Sequence, residues 1–318
     1  MAKIVVVGSI NMDIVTRTQR FPEPGETLQA KDTSFHSGGK GANQAVAAAK
    51  LGAAVAMVGA VGDDPFGHVL RTELTSAGID TSAVRMVPGA STGIASITVD
   101  DKGRNAILVT AGANARFHLE DVTGGVVWDG CEMVLLQNEI LPETTIATMR
   151  HFDARGIRVV YNPAPVTPLP KDVLPHVDTL VVNEIEASRL TGFEVTNLAS
   201  AVTAAETLMH FGARNVVLTM GGNGSVFAGK EAEGVLYVPS VKVDVVDTTA
   251  AGDTFIGAFA AALCAQAASG EGNIAEVLRF ATAAAALSVT KPGAQPSIPS
   301  LADVQLFLAS HDIPVRRI

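Results

Sequence analysis

The chain has 318 residues, 47% hydrophobic and only 17% charged, with 30 Gly and 15 Pro dispersed along it. That is enough chain to bury a full core without disulfide or metal staples, and the dispersed Gly and Pro exclude collagen-like and low-complexity classes. A formal charge of −9 excludes a surface built to follow nucleic-acid backbones, while leaving room for a local site that takes a phosphorylated ligand.

Residues 3–7 predict a strand, part of an apolar run (1–7) too short for a secretory leader. Residues 13–18 and 26–35 predict exposed strands joined through "RFPEPGE". Residues 37–51 predict a helix stopped by Gly52, 54–58 a strand, and 64–77 a helix with Pro65 in its first turn. Residues 92–99 and 105–110 predict a hairpin around Asp100–Gly103. Strands at 133–136, 158–161, 179–182 and 215–219 then alternate with helices near 143–155, 184–191 and 198–211. Residues 252–308 are mostly helical. Their longest uncharged stretch, 254–270, is shorter than the ~20 strongly apolar residues of a bilayer span. Continuous apolar strands alternating with helices predict an α/β domain with a central, mainly parallel sheet covered on both faces. The four outlying strands predict a small β-sheet beside it, either surface hairpins or a lid over a cleft. Cys131 and Cys264 read as free thiols of a cytoplasmic protein.

Familiar nucleotide motifs fail. Gly8 lacks the partner glycines of a dinucleotide fingerprint, and Gly41 follows Lys40 where a Walker A lysine needs Ser or Thr. No His/Cys cluster has metal-ligand spacing. The informative stretch is "VVDTTAAGDTF", residues 245–255. Ala250, Ala251 and Gly252 leave backbone N–H groups unobstructed at a helix N-terminus, where the dipole favours an anion. Asp253 in that first turn suits any helix start, but is also placed to take a proton from an attacking hydroxyl. "GGKGANQA", residues 38–45, is a plain loop before a helix, or a close-contact site for a polyhydroxyl ligand with Asn43 as donor and acceptor. Asn11 and Asp13, just past the first strand, suit vicinal sugar hydroxyls or simply form a turn. "TMGGNGS", 219–225, is a hairpin turn or a backbone cradle for phosphates. In "NEIE", Asn183 and Glu186 form a capping box, or orient waters around magnesium.

Taken together, "GGKGANQA" and "DTTAAGDTF", about 210 residues apart, resemble the two signatures of the PfkB (ribokinase-type) carbohydrate kinase family. "GSINMD", "PGET", "NPAP", "NEIE" and "KPGAQPSIP" extend the resemblance over essentially the whole chain. It implies one ribokinase-like α/β domain spanning 1–318, with a lid formed by about 12–36 and 91–112 that pairs in a homodimer. It implies ATP-dependent phosphorylation of D-ribose at O5, with a deoxyribokinase, fructokinase-type or adenosine kinase-type activity as the alternative. The sugar would meet Asn11, Asp13, Gly39, Lys40, Gly41, Asn43 and Glu139. Asp253 would be the base, and the amides of Ala250, Ala251 and Gly252 the anion hole. ATP would lie against Asn183, Thr219, Gly221, Gly222, Asn223, Gly224, Gly252 and Thr282. Potassium would be held by Asp247, Thr249, Ser288, Lys291, Gly293 and Ser297, and magnesium through water by Glu186. Ala250 replaces a frequent glycine, and Thr282 a frequent Asn or His.

Overall fold

A computed structural model describes residues 3–124, 128–170, 172–232, 234–270 and 272–318. Met1 and Ala2 of the first apolar run, and Glu271 in the helical C-terminal part, lie outside the described residues.

In chain order, β1 (Lys3–Val7) leads into β2 (Asn11–Arg17), and β3 (Asp32–Gly38) runs directly into α1 (Lys40–Lys50). Next come β4 (Ala54–Gly62), α2 (Pro65–Ser76), β5 (Asp80–Val87), and the hairpin β6 (Gly93–Val99) and β7 (Asn105–Thr110). α3 (Leu119–Thr123), β8 (Cys131–Leu136), α4 (Pro142–Asp153), β9 (Arg158–Tyr161), β10 (Thr179–Asn183), α5 (Glu184–Thr191) and α6 (Leu198–His210) follow. The last part holds β11 (Asn215–Thr219), β12 (Ser225–Gly229), β13 (Gly234–Val238), α7 (Ala251–Ser269), α8 (Ile274–Ser288), α9 (Leu301–Ser310) and β14 (Arg316–Arg317).

Ten strands form one sheet in the order β14-β13-β12-β11-β10-β9-β8-β1-β4-β5. It is parallel from β11 to β5 and antiparallel from β11 to β14. Helices cover both faces, which explains why the strands are apolar throughout. Ile4 and Val6 join one core with α1, α7 and α8; Val5 and Val7 join the other with α4 and α6. The expected mainly parallel α/β architecture is therefore what the chain adopts. In its antiparallel extension, the β11–β12 hairpin follows the turn reading of 219–225, with Thr219 paired to Ser225, whereas β13 and β14 had no distinctive sequence signal.

The four outlying strands form a second sheet, β3-β2-β6-β7, in which β2 and β6 are parallel and the other pairs antiparallel. Several boundaries differ from expectation: the strand expected at 13–18 spans Asn11–Arg17, the one expected at 54–58 runs on to Gly62, and β5 was not expected. The strand expected at 26–35 lies at Asp32–Gly38, and the helix expected from 37 begins at Lys40. The β2–β3 ladder continues as far as Asn11↔Gly38, and Gly39, with φ 87, makes the break from strand to helix. Residues before 32 are held instead by a turn in which the Glu26 N–H donates to Glu23 O at 2.9 Å and Arg20 pairs with Glu26.

α7 is long and apolar enough to cross a membrane by length and composition, yet 56% of its apolar window is buried inside this fold. Its small residues let helices approach closely. A Cβ on Gly257 would lie 2.4 Å from Ala47 Cβ of α1. Cys264 is buried, Cys131 is half-buried, and neither is in a disulfide.

Candidate active site

The two signature stretches supply the first turns of α1 and α7, and the fold brings them together. Asp253, 7% exposed, accepts from Asn43 Nδ2 at 3.1 Å and from Gln44 Nε2 at 3.0 Å. The Lys40 ammonium is held above its ordinary range, mainly by the Asp253 carboxylate; burial opposes this, and Glu139 and Glu186 add to it.

The polar residues expected to face a sugar gather on the same side. The backbone N–H of Lys40 donates to Glu139 Oε2 at 2.9 Å, and Ser9 Oγ donates to the same oxygen at 2.6 Å. Asn11 is buried, and its Oδ1 accepts from Asn114 Nδ2 at 2.8 Å. The Asp13 carboxyl is pushed up to about 7, first by burial, then by the negative charges of Glu139 and Asp253. Glycines make this crowding possible. A Cβ on Gly38 would sit 2.2 Å from Asp13 Oδ2, and one on Gly39 would sit 2.8 Å from the Asn11 nitrogen. On Gly41 it would meet the Gly8–Ser9 backbone at 2.7 Å, so the start of α1 packs directly on the chain leaving β1.

Ala250 caps α7 with a left-handed backbone, φ 58, the one positive φ outside glycine among the described residues. This conformation strains an alanine and turns the chain sharply into the helix. The Ala251 N–H donates to Thr248 O at 3.2 Å. Of the three expected anion-hole amides, it is therefore already engaged within its own turn.

Two cavities meet at this helix start. One, of about 220 Å³, is lined by Lys40, Asn162, Asn183, Glu186, Asp253 and Ala250–Gly252, among others. The second, of about 500 Å³ and more apolar, is lined by Thr219, Gly221, Gly222, Gly224, Val241, Val243, Phe255, Thr282, Ala285 and Val289, among others. Thr219, Thr248, Ala251 and Gly252 line both, so the two are contiguous. The volume of the larger suits a cofactor-sized ligand. Asn223, expected at this site, does not line either cavity; its carbonyl accepts from Tyr237 Oη at 3.1 Å.

Asn183 and Glu186 form the capping box of α5. The Asn183 N–H donates to Glu186 Oε2 at 3.0 Å, and Glu186 N–H donates to Asn183 Oδ1 at 2.8 Å. Asn162 Nδ2 adds a bond to Glu186 Oε2 at 3.2 Å. The Glu186 carboxyl is pushed upward, chiefly by burial. Among the described residues no group of three or more His, Cys, Asp or Glu is placed to hold a metal ion. Both Asn side chains donate their NH2 groups to Glu186, so this carboxylate suits a cation that keeps most of its water rather than one it ligates directly. Just before α7 in the chain, Asp247 accepts from the Thr249 N–H at 2.9 Å and from the Gly293 N–H at 2.8 Å, joining the two segments that carry the six expected potassium contacts. Against burial, a bond from the Thr249 hydroxyl at 2.6 Å together with these two backbone bonds holds the Asp247 carboxyl below its usual range. Ser288 and Ser297 are buried and donate to Ala285 O and Ala294 O, each at 2.8 Å, so both keep oxygen lone pairs. The Lys291 ammonium cannot ligate a cation; only its carbonyl could serve.

Ser9, Gln44, Asn114 and Gln137 also belong to this network and went unread in the sequence. Ser9 lies within "GSINMD" and Gln44 within "GGKGANQA", while Asn114 and Gln137 lie outside any motif; the partners of all four are distant in sequence, so their roles emerge only when the fold assembles them.

The sequence profile of the pfkB family carbohydrate kinases matches residues 1–301. The chain belongs to the pfkB family of carbohydrate kinases. As a pfkB kinase it is a phosphotransferase with a carbohydrate alcohol as acceptor. It is 37% identical to a ribokinase of Staphylococcus aureus over 304 residues, 95% of this chain and 98% of that protein. It is also 37% identical to a deoxyribokinase of Salmonella typhi over 311 residues, 97% of this chain and 99% of that one. The structure of Arabidopsis thaliana ribokinase complexed with ribose and ATP superposes with a TM-score of 0.88 at 34% identity, covering 96% of this chain and 98% of that one.

Proposed function

We propose that this pfkB kinase transfers the γ-phosphoryl group of ATP to O5 of D-ribose. The observation that carries this reading is the position of Asp253, between a cluster of sugar-type polar groups and two contiguous cavities that share the first turn of α7. Asn11, Asp13, Gly39, Lys40, Gly41, Asn43 and Glu139 hold the sugar. Asp253 takes the proton of the attacking hydroxyl. The Gly252 amide, the α7 dipole and the Lys40 ammonium stabilise charge on the transferring group. The adenine lies in the larger cavity against Thr282 and the loop holding Gly221, Gly222 and Gly224, and the phosphates reach toward Asn183.

Glu186, with Asn162 and Asn183, would hold a hydrated magnesium ion. Oxygens of Asp247, Thr249, Ser288, Lys291, Gly293 and Ser297 would hold potassium. When bound, these cations supply positive charge that offsets the phosphates. The four-stranded sheet acts as the lid of the single 1–318 domain and excludes water from the transfer. Every residue of its edge strand β7 is exposed, including Ile107, Leu108 and Val109, which supports pairing with a second copy. The free cysteines support a cytoplasmic location.

Phosphorylation of 2-deoxyribose is the second reading, favoured by the equal identity to a deoxyribokinase. Asn11 bears on the choice. Its Oδ1 accepts from Asn114, its amide NH2 can donate to a sugar hydroxyl, and losing a 2-hydroxyl partner costs ~1–3 kcal/mol. Comparing kcat/KM for ribose, 2-deoxyribose, fructose and adenosine decides the matter. Ribose should lead deoxyribose by roughly tenfold or more. Parity, or the reverse order, would transfer the assignment to the deoxy sugar.

A further inference from the structure

Each amide that holds Asp253 is itself held by another. Gln44, which donates to Asp253 Oδ1, accepts at its Oε1 from Gln137 Nε2 at 2.7 Å. Asn43, which donates to Oδ2, accepts at its Oδ1 from Gln295 Nε2 at 3.2 Å. Gln44 and Gln137 are completely buried.

The sense of the Gln137–Gln44 chain is dictated from the Asp253 end. A carboxylate only accepts, so Gln44 turns its NH2 toward Asp253 and its oxygen away. Gln137 must then donate. Its own Oε1 ends buried, with no hydrogen-bond partner. That oxygen points to a place where only glycine fits: a Cβ on Gly8 would lie 2.0 Å from it. Burying an amide oxygen unpaired is unfavourable, and an apolar side chain at 137 would avoid it. The arrangement makes sense if the amide has a task at its other end. Gln44 lines neither cavity, so that task is exercised through Asp253.

We propose that Gln44, oriented by Gln137, is a positioning residue for phosphoryl transfer. It fixes the rotation of the Asp253 carboxylate so that the carboxylate meets the sugar hydroxyl in line with the phosphate. The inference rests on Asp253 being the proton acceptor.

The test is steady-state kinetics with thermal melts on Gln44→Met, Gln137→Met and the double variant. Methionine keeps the volume and length while removing the amide. Gln44→Met should lower kcat roughly 10- to 100-fold, with KM for the sugar within about twofold of wild type. Gln137→Met should lower kcat less, roughly 3- to 10-fold, and the double variant should match Gln44→Met because Gln137 acts only through Gln44. Losses that multiply in the double variant would overturn the relay. Lowered melting temperatures with unchanged kcat would overturn the positioning role. Should Gln44→Met fail to fold, Gln137→Met decides alone: reduced kcat at constant KM supports the proposal, and unchanged kcat overturns it. A wild-type chain that phosphorylates no sugar would remove the activity reading and this inference together, whereas an active wild type with fully active variants removes the inference alone.

Discussion

Asn43 and Asp253 stand 210 positions apart in the chain and 3.1 Å apart in space. Their hydrogen bond, with the parallel one from Gln44, ties the first turn of α1 to the first turn of α7. Most of what the site does is a consequence of how those two helix starts are held.

Asp253→Ala should lower kcat by ~10²-fold or more, since a positioned general base contributes about that much. The circular dichroism spectrum should remain that of the wild type. Turnover near wild-type level in a folded variant would remove Asp253 from the role of base.

The raised value at Asp13 makes a pH prediction. The folded chain keeps a proton on Asp13 up to about 7, whereas the ordinary value is 3.8. Stability from that retained proton is full below the ordinary value and is lost progressively as pH climbs to about 7. Above that, the fold carries a charge that burial and the Glu139 and Asp253 carboxylates all disfavour. Asp13→Asn should therefore melt higher than wild type at about pH 8 and much the same at about pH 4, while binding sugar more weakly. Identical melting profiles across that range would show that Asp13 titrates normally.

Gly257→Ala should cost ~1–3 kcal/mol in denaturant unfolding, because the added methyl meets Ala47 Cβ at 2.4 Å and the Gln44 carbonyl oxygen at 2.8 Å. It should also lower kcat, since prising α1 from α7 draws Asn43 and Gln44 away from Asp253. A variant that is stable and fully active would mean that the helices separate without disturbing the carboxylate.

Much of this was legible in the sequence. β1, β4 and α2 lie close to where apolar runs, Pro65 and the glycine stops put them, because local patterning and burial agree there. The residues of both signatures do converge. Residues 37 and 38 were misread because a strand that runs straight into a helix leaves no polar gap, and only the left-handed Gly39 marks the change. Gln44 sits in an alanine-rich helix where a glutamine is an ordinary surface residue. Its burial follows from the approach of α7, which no local pattern encodes. The elevated Asp13 likewise depends on Glu139 and Asp253, distant in sequence and brought near only by the fold.

The α1–α7 contact also sets an order of events during synthesis. At about 5–20 residues per second, roughly 10–40 seconds separate the emergence of Asn43 from that of Asp253, 210 positions later. Throughout that interval the alanine face of α1, buried from Gly41 to Ala48 in the finished fold, waits for the helix that covers it. A nascent chain therefore carries Asn11, Asp13 and Asn43 long before Asp253 and the first turn of α7. Under the proposed function the site gains its proton acceptor only once α7 has emerged, and until then the buried face of α1 lacks its cover.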